Sequence, residues 1–260
     1  MQRQVFAVKA LTTFWANRMV SEIKGATCRE YRTSRKVADS TVRRELGVLQ
    51  AAINYAHSEG LLIHTVKVSL SPKTKPKERY LTRDEIAALL WASPKHLKRF
   101  ILISVYTGRR KRAVLDLKWQ PNSESGWVDL DAGMIHFLGM SKVESSKGKG
   151  SIQVVPSLLA HLRRWYKSDP NAGGVITYKN KPIKDIKNAF SQACAAANLD
   201  CITPHKLKHT AVTLAFQSGM TMEQATQYFA TTQETLERVY HQHSPLHNKA
   251  ALIPMQRLGK

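Results

Sequence analysis

The sequence predicts a mainly α-helical fold with one small antiparallel β-sheet, an α+β chain built in two parts. Three observations predict it. Apolar residues recur at three- and four-residue spacing through most of the chain, with capping residues at the ends of those stretches. Alternation suited to strands is confined to the region between Trp127 and Val155. Finally, SLSPKTKPKERY, residues 69–80, is rich in Pro and Lys without an apolar period, which reads as an extended linker.

Before the linker, Phe14 to Arg35 reads as helical and basic. STVRRELGVLQAAINYAHSEG reads as a helix with Ser40 near its start and Gly60 as its stop. Val42, Leu46, Leu49, Ile53 and Ala56 form its apolar stripe, and Arg43, Gln50, Asn54 and His57 fall on another face. After the linker, LTRDE holds a capping box, Thr82 with Glu85, that leads into Ile86, Leu89 and Leu90. A second apolar helix ends at Thr107-Gly108. WVDL-DAG-MIHFL reads as a hairpin with a three-residue turn, and SIQVV as a third strand. The polar loop SKVESSKGKG lies between strands two and three. Helices are expected at Ser157–Lys167, at about Ile183–Asn198, at 205–218, after Thr221 with Gln224 as its capping partner, and from Thr231 or Thr232 past Tyr240. Trp127, Trp165 and Tyr166 read as core. The expected organisation is a helical unit over 1–68, a linker over 69–80 and a larger unit over 81–260.

Charge narrows the partners. The formal net charge is +21, of which residues 1–80 contribute +9 and residues 81–260 the other +12. Two basic parts point to a polyanion held along the whole chain, and nucleic acid fits best. Cys28, Cys194 and Cys201 lack metal-ligand spacing and read as buried or half-buried thiols of a reducing compartment. No signal peptide is visible, and the longest apolar run, Phe100–Tyr106, is far too short to span a bilayer. The expected location is cytoplasmic and nucleoid-associated, with no membrane partner.

The residues that carry chemistry are few. HKLKHTAV follows Thr203-Pro204, which reads as a helix start, and places His205, Lys208 and His209 on one face. Such a face needs an anion among its cations. No carboxylate cluster suits a two-metal nuclease, and no Gly-rich loop joins a strand to a helix. Basic side chains, two histidines and a late tyrosine suit metal-free phosphoryl transfer: cations hold the non-bridging oxygens, a hydroxyl attacks and a proton donor serves the leaving oxygen.

The order of these motifs resembles that of the tyrosine recombinase family of the phage-integrase type. TGRRKRAVLDLKW resembles the segment of the first catalytic arginine, which falls on Arg110. HKLKHTAVTLAFQSG resembles the H-x-x-R-H helix, and TLERVYHQHSP the segment of the nucleophile, which falls on Tyr240. SSKGKGSIQVVP resembles the sheet-edge loop that carries a lysine general acid, best matched by Lys147, with Lys142 and Lys149 as alternatives. CREYRTSR and the 40–60 helix resemble the core-binding domain. The resemblance implies a C-shaped clamp on double-stranded DNA and assembly as a homo-tetramer there. It implies attack by Tyr240 to form a 3′-phosphotyrosyl link, with Arg110 on the phosphate, Lys147 as proton donor, and His205 and His209 on the phosphate or the nucleophile's proton. No metal or cofactor is required. DNA contacts are expected from Arg43, Arg44, Gln50, Asn54 and His57, from Lys73, Lys75 and Lys77 of the linker, and from Arg109.

The chain departs from that pattern. Lys208 stands where H-x-x-R-H has arginine, and Thr231 where a histidine or tryptophan is expected, in the Leu-Gly-His box that reads Phe229-Ala230-Thr231 here. Ala113 replaces an acidic residue, and the resemblance begins inside the core-binding domain, so that domain is expected to be truncated. Lysine keeps the charge but loses the planar fork. Two functions follow as expectations: a site-specific recombinase, slowed at Lys208 and Thr231, or a recombinase-fold DNA-binding protein of weak or no activity acting as an accessory or regulatory factor.

Overall fold

The computed structural model describes residues 2–72, 79–142 and 150–240, with side chains over 4–72, 79–142 and 150–237. The chain divides into two compact units, Met1–Lys77 and Glu78–Lys260.

The first unit is helical. Helices α1 (Gln2–Trp15), α2 (Gly25–Ser34) and α3 (Asp39–Ser58) enclose Leu11, Trp15, Tyr31, Val42, Leu46 and Ile53. The single helical stretch expected over 14–35 is interrupted by a 3₁₀ turn at Val20–Glu22, where Thr27 spends its hydroxyl on the Glu22 carbonyl. Buried Glu45 is paired rather than bare: Arg35 forks onto it at 2.8 and 3.1 Å, and Tyr31 Oη donates to it at 2.7 Å. Burial and the Glu45 carboxylate together push the Tyr31 phenol up.

The second unit is mixed. Helix α4 (Arg83–Trp91) opens on the expected box, with Thr82 accepting from the Glu85 amide at 3.2 Å and Glu85 accepting from the Thr82 amide at 2.8 Å. The Arg79 guanidinium beside it holds the Glu85 carboxyl down to about 2. Helix α5 (Lys95–Thr107) buries Leu97, Phe100, Ile101 and Ile103 and packs on α9 (Pro204–Gln217). Between them in sequence lie α6 (Lys111–Leu115), α7 (Pro156–Ser168) and α8 (Lys187–Ala196). Strands β1 (Trp127–Asp129), β2 (Met134–His136) and β3 (Ser151–Gln153) form an antiparallel sheet in which Val128, Ile135 and Ile152 are aligned and buried. Helices α10 (Met222–Phe229) and α11 (Gln233–Tyr240) follow, and Val212, Phe216, Ala225, Phe229 and Leu236 form their shared core with α9. The fold is mainly α with small antiparallel sheets.

Several local expectations change. Asp129 pairs with Met134, so four residues, not three, turn the hairpin; Asp129 Oδ1 accepts from the Asp131 and Ala132 amides and fixes that wider turn. Helix α8 begins at Lys187 rather than near Ile183, because Asp185 accepts from the Ile186 and Lys187 amides just ahead of it. A second hairpin, β4 (Thr177–Tyr178) with β5 (Lys181–Pro182), turns through Lys179 and Asn180, both at positive φ. Thr203 occupies the cap of α9 without a side-chain hydrogen bond. Cys201 is exposed rather than buried. Trp165 and Tyr166 pack on the core, but Trp127 is half-buried and stacks on His136 at 4.3 Å. The centre of the expected linker, 73–78, lies outside the described residues; on its near side Arg43 donates to the Ser71 carbonyl.

Candidate active site

The turn between α5 and α6 sorts two adjacent arginines. Gly108 adopts the left-handed conformation, φ +58°, and donates to the Ser104 carbonyl at 2.9 Å. A Cβ on Gly108 would lie 2.4 Å from Phe229, so the turn is pressed onto the end of α10. This reversal leaves Arg109 only 5% exposed and turns Arg110 outward at the first turn of α6. The Arg109 guanidinium sits over the Phe137 ring at 4.9 Å and reaches the Gly150 carbonyl at 3.4 Å. Arg109 therefore braces the turn against the sheet, and it also lines the cleft beside Arg110; this placement alone does not decide the DNA contact expected of it.

Helix α9 supplies the next groups. His205 is exposed, His209 half-buried, and their rings meet edge to face at 4.7 Å. Lys208, between them, runs inward and is 8% exposed. Burial, then the Arg110 and Arg109 charges, push Lys208 down to about 8. Burial, then His205, Lys206 and Lys208, push His209 down to about 4. His205 is held below the ordinary histidine value by desolvation and by the Lys208, Lys206 and Arg110 charges. These shifts share their largest cause, burial, and crowded cations add to it by disfavouring each other's charged forms.

The end of α10 supplies the oxygens that Lys208 meets. Ala230 closes the helix in the left-handed conformation, φ +45°. Lys208 Nζ donates to Thr231 Oγ1 at 2.9 Å and to the Phe229 carbonyl at 3.3 Å. Thr231 Oγ1 donates to the same carbonyl at 3.1 Å.

These elements border one cleft, lined by Arg109, Arg110, Arg112, Ala113, Lys208 and Phe229 among others. The two carboxylates that line it among the described residues are already paired, Asp116 with Arg112 at 2.9 Å and Glu124 with Lys142 at 3.1 Å. Ala113, on the wall, adds no further negative charge. No cluster of His, Cys, Asp or Glu able to hold a metal occurs among the described residues. The cleft thus offers N–H donors and positive charge to an oxyanion.

Of the other expected site residues, Tyr240 closes α11, and its side chain lies outside the described residues. Lys147, Lys149, Lys73, Lys75 and Lys77 also lie outside them. In the first unit, Arg44, Asn54 and His57 are exposed on α3. Gln50 is consumed internally: its amide donates to the Val66 carbonyl and to Asn54, and accepts from the Val68 amide. Sequence reasoning missed the Lys208–Thr231 pair and the buried Thr210, whose hydroxyl accepts from the Leu81 amide at 2.9 Å. The simultaneous departure at 208 and 231 was the available signal for the first; nothing local announces the second.

The phage integrase family profile matches residues 79–247. The chain belongs to the phage integrase family. The match spans α4 to α11 and takes in Arg110, His205, Lys208, His209, Thr231 and Tyr240. Solved structures share its fold. The Tn1549 transposon integrase, in complex with transposon right end DNA, superposes with a TM-score of 0.75 at 14% identity, over 100% of this chain and 94% of that one. XerH recombinase bound to a palindromic difH substrate gives 0.70 at 14%, over 96% and 78%. A lambda integrase dimer bound to a COC′ core site gives 0.64 at 17%, over 91% and 69%. No curated protein matches the chain in sequence. Among the described residues of this integrase-family chain, no helix is long and apolar enough to cross a membrane.

Proposed function

We propose that this chain is a site-specific DNA recombinase that cuts and rejoins double-stranded DNA through Tyr240. One observation carries the reading: Arg110 and Lys208 border a cleft whose carboxylates, among the described residues, are already paired, beside two histidines depressed by burial and then by neighbouring positive charge. Such a site is built for an anion with several oxygens, and a backbone phosphate meets it. Membership of the family, and its fold-mates solved on DNA, support the same substrate.

In this reading the Tyr240 hydroxyl attacks the scissile phosphorus as its proton passes to a base. His209 is the acceptor offered by the motif order, and the bound phosphate's negative charge offsets the cations that disfavour its protonated form. The P–O5′ bond breaks, a 3′-phosphotyrosyl link forms, and Lys147 delivers a proton to the departing 5′-oxygen. Arg110 and Lys208 hold non-bridging oxygens, and exposed His205 adds a donor. Ligation reverses each step, so the bond energy stays in the enzyme link. Residues 1–68 act as a core-binding domain, with Arg44, Asn54 and His57 toward DNA. Assembly as a homo-tetramer on DNA is part of the proposal, supported by the likeness to a lambda integrase tetramer bound to a Holliday junction.

The test uses duplexes selected from a randomised pool by binding to the chain, then nicked near their centre so that cleavage releases a short fragment. A denaturant-resistant protein–DNA complex is expected. Its absence on a tightly bound duplex leaves a DNA-binding protein without strand transfer.

A further inference from the structure

Thr231 occupies the position where the family pattern has a histidine or tryptophan, and its hydrogen bonds settle what its hydroxyl can do. A hydroxyl has one proton to give. Thr231 Oγ1 lies 3.1 Å from the Phe229 carbonyl and 2.9 Å from Lys208 Nζ. An ammonium cannot accept, so Thr231 accepts from Lys208 and gives its only proton to Phe229. No proton remains for a phosphate. The ammonium of Lys208 has three, and two of them go to Thr231 Oγ1 and the Phe229 carbonyl. One remains, on a buried side chain that lines the cleft.

We propose that Thr231 is a positioning residue: with the Phe229 carbonyl it fixes the Lys208 ammonium so that a single N–H is aimed at one non-bridging oxygen of the scissile phosphate. The chain has exchanged a two-pronged arginine and an independent aromatic donor for one anchored, one-pronged cation. The exchange is concerted, because a flexible lysine stem without the two oxygens is not held in one geometry. The Phe229 carbonyl is available because α10 ends in the left-handed turn at Ala230. The charges that act on Lys208 are those of Arg110 and Arg109, with Lys206, His205 and His209 beside it on α9, while the carboxylates of Asp116 and Glu124 on the same cleft are paired with Arg112 and Lys142.

The inference rests on the recombinase reading, and the experiment keeps the two apart. Thr231→Val, Thr231→Ser and Lys208→Met are compared, together with the Lys208→Met/Thr231→Val double variant. Two readouts are taken: covalent-complex formation on nicked duplex as a function of pH, and affinity for inorganic phosphate without DNA. Loss of Thr231 as acceptor is expected to slow complex formation about 10- to 100-fold by misplacing the donor. It is also expected to move the alkaline limb of the pH profile to lower pH and to weaken phosphate binding. Thr231→Ser restores all three, and in the Lys208→Met background Thr231→Val has no further effect. Wild-type rate, pH profile and phosphate affinity in Thr231→Val overturn the inference, as does an undiminished effect of Thr231→Val without Lys208. Absence of a covalent complex in the wild type contradicts the recombinase reading. The phosphate arm then decides the inference by itself, and unchanged affinity in Thr231→Val overturns it.

Discussion

Lys208 and Thr231, two positions at which the chain leaves its family's pattern, are hydrogen-bonded to each other, Nζ to Oγ1, at 2.9 Å. They lie 23 residues apart in sequence, on α9 and just past α10. Residues in such contact are not independent under substitution. Lys208→Arg restores the family's residue but not its setting, because a planar guanidinium must keep or abandon two oxygens placed for an ammonium. The single variant is expected to form covalent complex about tenfold more slowly than wild type. Adding Thr231→His is expected to recover more than the single effects sum to, with a coupling of about 1 kcal/mol or more in a double-mutant cycle.

The same lysine sets a pH limit. Its folded value is depressed to about 8, so it is charged below that pH and neutral above it. Phosphate binding and cleavage are therefore expected to fall as pH rises through about 8, and Lys208→Arg to flatten that limb. Stability of the DNA-free chain moves the other way: keeping a buried charge is costly below about 8, and the cost is relieved between there and the unfolded value of about 10.5. His209, depressed to about 4, is neutral at pH 7. The DNA-free chain is expected to lose stability as pH falls from about 6.5 toward 4, since the unfolded chain takes up that proton first. Thermal unfolding from pH 4 to 10, with and without phosphate, checks both signs.

Gly108 separates conformational from steric cost. Gly60 is also left-handed, φ +72°, with nothing within 4 Å of a Cβ, whereas at Gly108 that atom meets Phe229 at 2.4 Å. Gly60→Ala is expected to cost about 1 kcal/mol. Gly108→Ala adds overpacking of about 1–3 kcal/mol and shifts the Arg110 turn, so it should also impair phosphate binding. Urea unfolding and phosphate titration of the two variants test the difference.

Thr210 ties the start of the second unit to α9. Its buried hydroxyl accepts from the Leu81 amide and donates to the Lys206 carbonyl at 2.8 Å. Thr210→Val keeps the volume and strands the Leu81 amide, at an expected loss of about 1–3 kcal/mol of stability. Hydrogen exchange at Leu81 should speed up in parallel.

How legible this was follows from range. Thr82 with Glu85, Thr221 with Gln224, and Pro204 at the start of α9 act within one turn, and each helix begins where those residues place it. The β1–β3 sheet shows in the alternation that buries Val128, Ile135 and Ile152. The β4–β5 hairpin was hidden because Lys179-Asn180 lacks the glycine that usually marks such a turn. That Arg109 turns in and Arg110 out depends on the left-handed Gly108 packed on Phe229, a contact 121 residues away in sequence. Motif order placed Arg110 and Lys208 in one site; only tertiary structure joins Lys208 to Thr231 and the Phe229 carbonyl.

The central claim is strand transfer through Tyr240, and locating the covalent link tests it most directly. The trapped complex is digested with nuclease and trypsin, and the nucleotide adduct is mapped by mass spectrometry. The account predicts a 3′-linked nucleotide on Tyr240, within the peptide 239–249, and no trapped complex from Tyr240→Phe. An adduct on another residue, or a complex that persists in Tyr240→Phe, would contradict it.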